Sequence, residues 1–229
     1  MSDLKEKIKK INKAIVAIGY RPTPNQLTII GSGFAVSNDG KILSAAHLCS
    51  KLNEEDVKNL KAMVFAEQIS GGLEGFKWLD LKLIKKEDKD DIALFQIEDF
   101  KGTLLEKVEI GDSERVEVGD DVYFVGFPYA AQLINDGLGI TRIVNRGIVS
   151  NIKRDGIDPT HKRNFFIIDA ISNPGNSGCP LIDIETNKVI GIMSISFSKK
   201  SKNVDNLDIR EPMHICAAKP INLAKALLD

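Results

Sequence analysis

The sequence predicts an all-β protein with a short helix at each end. Three observations lead there. About ten short runs rich in β-branched and other apolar residues follow one another along the chain. Each is bounded by Gly, Asn, Asp or Pro. Helical periodicity is confined to the ends and one short stretch, so strands do not alternate with helices as in a βαβ sheet. Short strands at regular intervals with few helices between them form β-barrels or sandwiches.

Taken in order, Leu4, Ile8, Ile11 and Ile15 recur at helical spacing. The first dozen residues therefore read as an amphipathic helix, laid over an apolar edge of the core or presented to a partner. Residues 27–36 are rich in β-branched side chains and are interrupted at Gly31-Ser32-Gly33. Asn38-Asp39-Gly40 is a turn signal between two apolar runs, so 33–36 and 42–46 read as a hairpin. Residues 54–60 resemble a surface helix, 62–69 and 76–84 read as strands, 85–90 as a charged connector and 92–97 as a buried strand. The pattern relaxes over 101–112. This divides the chain into a helix (1–13), a first lobe (14–108) and a second lobe (109–229), one domain in all. Strands over 121–127, 141–152, 165–170, 188–196 and 213–218 follow, and 220–228 closes the chain as a short helix.

Composition narrows the function classes. Hydrophobic residues make up 43% and charged residues 28% of the 229, an ordinary globular balance. A net charge of -1 and a pI near 6.3 give no basic field for a phosphate backbone, so nucleic acid is not the expected partner. No apolar run approaches the roughly 18 residues of a spanning helix. The N-terminus is basic but carries Asp3 and Glu6, and its apolar stretch Ala14–Ile18 is short. It reads as not exported. Cys49, Cys179 and Cys216 are odd in number and lack close-spaced pairs. That fits free thiols in a reducing, cytoplasmic compartment, with no metal site and no cofactor.

The chemistry centres on Asn173-Pro174-Gly175-Asn176-Ser177-Gly178-Cys179-Pro180. Two glycines and two prolines force a sharp turn with little bulk around one serine. Such a turn either connects two strands or holds a serine oxygen outward and aims backbone N–H groups at one point. A serine hydroxyl is a weak nucleophile until an oriented base takes its proton, so a catalytic Ser177 requires a histidine and a carboxylate elsewhere. His47 ends the apolar run Leu43-Ser44-Ala45-Ala46 and is either such a base or a half-buried ring bonded to backbone. His161 lies in a charged loop and reads as solvated; His214 enters a strand and reads as structural. Asp91, next to the strand Ile92-Ala93-Leu94, either orients a histidine or punctuates a surface turn; it is preferred to Asp90 because it abuts the strand.

The order His47, Asp91, Ser177 is that of the chymotrypsin-type triad. Gly31-Ser32-Gly33-Phe34 with Ala45-Ala46-His47, Asp91-Ile92-Ala93-Leu94, Val125-Gly126-Phe127-Pro128 and Asp169-Ala170 through Asn173-Pro174-Gly175-Asn176-Ser177-Gly178 resemble the motifs of trypsin-like proteases. Among these the HtrA/Deg-type proteases are the nearest in pattern, and the resemblance spans residues 15–221. It implies two six-stranded antiparallel β-barrels with the site between them. It also implies Ser177 as nucleophile, His47 as base, Asp91 as its orienting acid, and an oxyanion hole from the N–H groups of Gly175 and Ser177 around Asn176. Ser194 matches a family serine near the aspartate. Ser194-Ile195-Ser196 would pair with an extended protein or peptide substrate, and Ile171 falls at the base of the primary pocket, which favours small or medium apolar side chains.

The departures are specific. Cys179 stands where the family has glycine. Cys49 lies one position from a cysteine that secreted relatives pair, with no partner near Gly33. Asn176 precludes the salt bridge that activates digestive relatives. No PDZ-like segment or trimerisation segment is evident. Two other functions compete with an endopeptidase: a peptide-binding module on the protease fold, and a different acyl-transfer enzyme such as an esterase.

Overall fold

Twelve strands form two closed six-stranded antiparallel barrels in a computed structural model that describes residues 4–23, 26–50, 52–68, 74–100, 104–156, 163–200 and 210–228. The first barrel comprises β1 (Ile15–Thr23), β2 (Gln26–Ala35), β3 (Lys41–Ser44), β4 (Leu60–Gln68), β5 (Glu74–Glu87) and β6 (Ile92–Ile97), closed in the order β1-β2-β3-β6-β5-β4. The second comprises β7 (Asp121–Gly126), β8 (Ile143–Lys153), β9 (Phe165–Ile168), β10 (Pro180–Asp183), β11 (Val189–Lys200) and β12 (Arg210–Pro220), closed as β10-β11-β12-β9-β8-β7. Closure pairs every strand with two neighbours over part of its length.

The Asn-Asp-Gly signal delivers the expected hairpin: Phe34 pairs with Leu43 and Ala35 with Ile42, and Gly40 at φ +96° takes the turn. The strand β3 ends at Ser44, before Ala46, and a single 3₁₀ turn over Ala46–Leu48 carries His47 out of the barrel wall. Part of the charged connector is strand instead. β5 runs on to Glu87 because its backbone keeps pairing with β6 past a register shift at Leu83/Lys85, and ladder bonds are indifferent to exposed charge. The surface helix is shorter than expected, α2 (Glu54–Lys58), capped by Asn53 Oδ1 on the Asp56 N–H. One helix lacked a sequence signal: α3 (Ala130–Asn135), which follows Tyr129.

The ends cross between the barrels. The helix α1 (Leu4–Ile11) precedes the first barrel, and Leu4, Ile8 and the buried Ile11 join its core. Its Lys7 ammonium reaches the Ile184 and Glu185 carbonyls of the second barrel, and Arg142 Nη1 donates to the Asn12 carbonyl at 2.5 Å. The C-terminal α4 (Lys225–Leu228) follows the second barrel but buries Leu227 in the first core, with Lys85 Nζ on the Ala226 carbonyl at 2.8 Å. Tyr123, Val125, Phe127 and Ile192 of the second barrel belong to that same apolar cluster, which therefore continues across the interface.

Candidate active site

His47 and Asp91 come together. Asp91 sits at the tip of the turn before β6 in the left-handed region, φ +57°, which aspartate tolerates better than most residues. Its backbone carbonyl accepts the Ala46 N–H at 3.2 Å, and its Oδ1 accepts the His47 N–H at 2.8 Å. The imidazole Nδ1 lies 2.8 Å from Oδ2 and 3.1 Å from Oδ1. A carboxylate partner assigns the proton to Nδ1 and leaves Nε2 as an acceptor. Burial alone would push the Asp91 carboxyl up. The hydrogen bonds from the His47 ring, Ser194 and the His47 backbone outweigh it and hold the carboxyl below its ordinary range.

Ser194 Oγ donates to Asp91 Oδ2 at 2.5 Å. A bulge aims it: β11 pairs Met193 with Ala218 and Ile195 with Ala217, so Ser194 is the extra residue between them. Beyond Met193, β11 pairs only with β12 among the described residues, which leaves its other edge open over Ser194, Ile195 and Ser196. Ser196 Oγ lies 3.1 Å from Ser172 Oγ, so that edge and the loop bearing the half-buried Ile171 lie side by side.

The serine turn is locked to the first barrel. The Ser177 carbonyl accepts the Ser32 N–H at 2.9 Å. Gly178, at φ +86°, abuts the strand leading to His47; a Cβ there would stand 2.0 Å from Ser44 Oγ and 2.2 Å from the Ser32 carbonyl. Gly175, at φ +103°, has the Phe127 carbonyl 2.4 Å from where a Cβ would be. The Tyr129 N–H holds the Pro174 carbonyl at 2.8 Å. In a trans peptide the following N–H points the opposite way, so the Gly175 N–H faces away from Tyr129. No hydrogen bond among the described residues uses the N–H of Gly175 or Ser177.

Ser32 escaped sequence reasoning beyond its place in a motif. Fully buried, it donates to the Gly175 carbonyl at 2.6 Å and accepts the Phe127 N–H at 2.9 Å. Its one signal is a small polar residue between two glycines in a strand. Asn176 is also fully buried, and its side-chain amide has no partner among the described residues. Cys179 has a packing explanation: it fills the second barrel's core beside Gly126, and burial, then Cys216, pushes its thiol far up. His214 is exposed within β12, past the strand entrance, and His161 lies outside the described residues. A cavity of about 280 Å³ adjoins Gly175, lined by Ile29, Ile30, Phe127, Tyr129 and Pro174.

Two barrels meeting at a histidine–carboxylate pair and a glycine-flanked serine define a trypsin-like peptidase domain. Residues 31–192 match the trypsin-like peptidase domain family, and the chain belongs to it, a family of serine-type endopeptidases. Among its relatives is the probable periplasmic serine endoprotease DegP-like of Pseudomonas putida (strain GB-1), 32% identical over 74% of this chain and 30% of that protein. The periplasmic serine endoprotease DegP of Salmonella typhimurium is 33% identical over 75% of this chain and 32% of its own length. A DegP-like relative from Brucella suis is 33% identical over 91% of this chain and 34% of its own length. The chain thus spans about a third of the length of the relatives it matches.

These relatives correct the expectation of a cytoplasmic chain, because they are named periplasmic. The fold shows why the cysteines misled: Cys49, Cys179 and Cys216 are free and all buried. A thiol that no oxidant reaches stays unpaired in either compartment.

Proposed function

We propose that the chain hydrolyses peptide bonds through His47, Asp91 and Ser177 and an acyl-enzyme intermediate. The observation that carries this reading is the Asp91 carboxylate, bonded at once by the His47 ring, the His47 backbone and Ser194. In this scheme Asp91 fixes the tautomer, and Nε2 takes the Ser177 proton as Oγ attacks the scissile carbonyl. The imidazolium then protonates the leaving amine, and water repeats the sequence to release the acid. The N–H groups of Gly175 and Ser177 stabilise the oxyanion. Bonds to the Pro174 and Gly175 carbonyls from Tyr129 and Ser32 keep that loop turned to present them.

An extended substrate adds to the open edge at Ser194–Ser196. Ile171 gives the primary pocket an apolar base, favouring small or medium apolar residues before the cut. The cavity beside Gly175 receives the residues after it. A fluorophosphonate probe tests the scheme: wild type should be labelled and Ser177→Ala should not. Turnover of an unfolded protein substrate should fall by on the order of a million-fold in that variant. An unlabelled wild type would overturn the scheme in favour of a peptide-binding module, and preference for Lys or Arg before the cut would overturn the specificity.

A further inference from the structure

The hairpin of β11 and β12 is longer than the barrel it closes. β12 pairs with β9 only over Cys216, Ala217 and Ala218, and β11 pairs with β10 only as far as Ile192. Met193 then bonds the serine turn: its N–H donates to the Cys179 carbonyl at 2.9 Å, and its carbonyl accepts the Gly178 N–H at 2.7 Å. Past these points, among the described residues, the two strands pair with each other alone, out to Lys200 opposite Arg210. A two-stranded ribbon is marginal by itself, and a third strand adds a second ladder.

The pairing decides which backbone groups of β11 face outward. Ser198 stands opposite Pro212. Proline has no N–H, and within a strand it keeps its nitrogen away from the ladder. Ser198 and Pro212 are therefore a pair whose backbone groups point away from each other, so the Ser198 N–H and carbonyl face the open edge. Those of Ser196, two residues earlier, face the same way. The register shift between them is taken up on β12, where Met213, His214 and Ile215 oppose Phe197 alone. β11 itself stays regular, with Ile195 and Phe197 half-buried and Ser196 and Ser198 exposed.

We propose that the substrate strand continues past Ser196 and pairs with Ser198, which binds the fifth residue before the cut through its backbone. The inference rests on the reading of Ser194–Ser196 as the substrate edge. The Gly178–Met193 bond sets Ser177 at the near end of that edge. The residue before the cut then lies opposite Ser194, the third opposite Ser196 and the fifth opposite Ser198, in antiparallel pairing. The N–H and carbonyl of the fifth residue bond the Ser198 carbonyl and N–H. Main-chain bonds ignore side-chain identity and select length and extension. The ligand is thus an extended segment with at least five residues before the cut, which an unfolded chain offers and a tight folded loop does not.

Binding to Ser177→Ala protein tests this without turnover. The probes are peptides with a single valine before the scissile bond and three to six residues up to and including it. Affinity should step up by about 5- to 50-fold when the fifth residue is added. N-methylation of the fifth residue should erase the step; N-methylation of the fourth, whose N–H points away from β11, should keep it. Adding Ser198→Pro removes one outward N–H and should shrink the step. Affinity that levels off at three residues, or equal loss from both N-methylations, overturns the proposal. Should the Ser198→Pro protein not fold, the N-methyl series on the unaltered edge decides alone. A step at the fifth residue in a protein whose wild type resists the fluorophosphonate supports the longer edge while sinking the triad scheme. A flat series with a labelled wild type overturns the longer edge alone.

Discussion

Gly178 bears the tightest steric constraint at the residue scale. It combines φ +86° with less than 3 Å to the Ser32 carbonyl and the Ala45 N for any added Cβ. The obstacles include backbone, which cannot swing aside. Gly178→Ala should therefore destabilise the fold by about 3 kcal/mol or more, read as a fall in the urea midpoint. Asp91 carries a second prediction. Its carboxyl is held below the ordinary range, so the folded state gains from the ionised form. That stability is fully present above the free carboxyl value of about 3.9 and is lost as pH falls through the lower folded value. The stability gap between wild type and Asp91→Asn should shrink as pH falls below about 4. A gap that holds level or widens below about pH 4 would contradict the assignment.

Elements contribute by aiming these residues. The bulge in β11 turns Ser194 toward Asp91, where a regular strand would keep strict alternation. Ser194→Ala removes one hydrogen bond to a charged acceptor, about 1.5–3 kcal/mol, and leaves the strand pairing intact. In the proposed mechanism kcat/KM should fall by about 10- to 100-fold with KM little changed. A pure KM effect would place Ser194 in substrate binding alone. The 3₁₀ turn after β3 does the same for His47, lifting its ring out of the barrel wall to meet the turn before β6. The site was legible here because each candidate sits at a strand end marked by its own local signal. The Ser194 bulge was not, since a bulge exists only relative to the register of the neighbouring strand.

For the whole molecule, the barrels are held in register by crossed ends as well as by the shared apolar cluster. The helix α1 leads into the first barrel and bonds to the second through Lys7, as the turn after it does through the Asn12 carbonyl; α4 leaves the second barrel and packs on the first. The proposed nucleophile and its base stand on opposite barrels, so a loosened interface would separate them. Deleting residues 4–11 should uncover Ile11's neighbours and cost about 2–4 kcal/mol. The melting temperature should fall by about 5–15 °C, and labelling of Ser177 should slow. Unchanged melting would mean that the helix is not part of the clasp.

The sequence by itself determined most of the strands, though not β1 or β10, along with the Asn-Asp-Gly hairpin and the three residues proposed for the chemistry. Each of these is written within a few neighbouring positions, as an alternation, a turn pair or a glycine-flanked serine. Only the tertiary structure decided how the parts are tied together. Ser194 reaches Asp91 across 103 positions and Ser32 reaches Gly175 across 143. Lys219 is sealed inside by a strand pairing and the Phe165 ring, which its own segment, Ala218-Lys219-Pro220, does not announce. Barrel closure brings such distant residues together, and the strength of a contact made by closure depends on register and burial, which no local pattern carries.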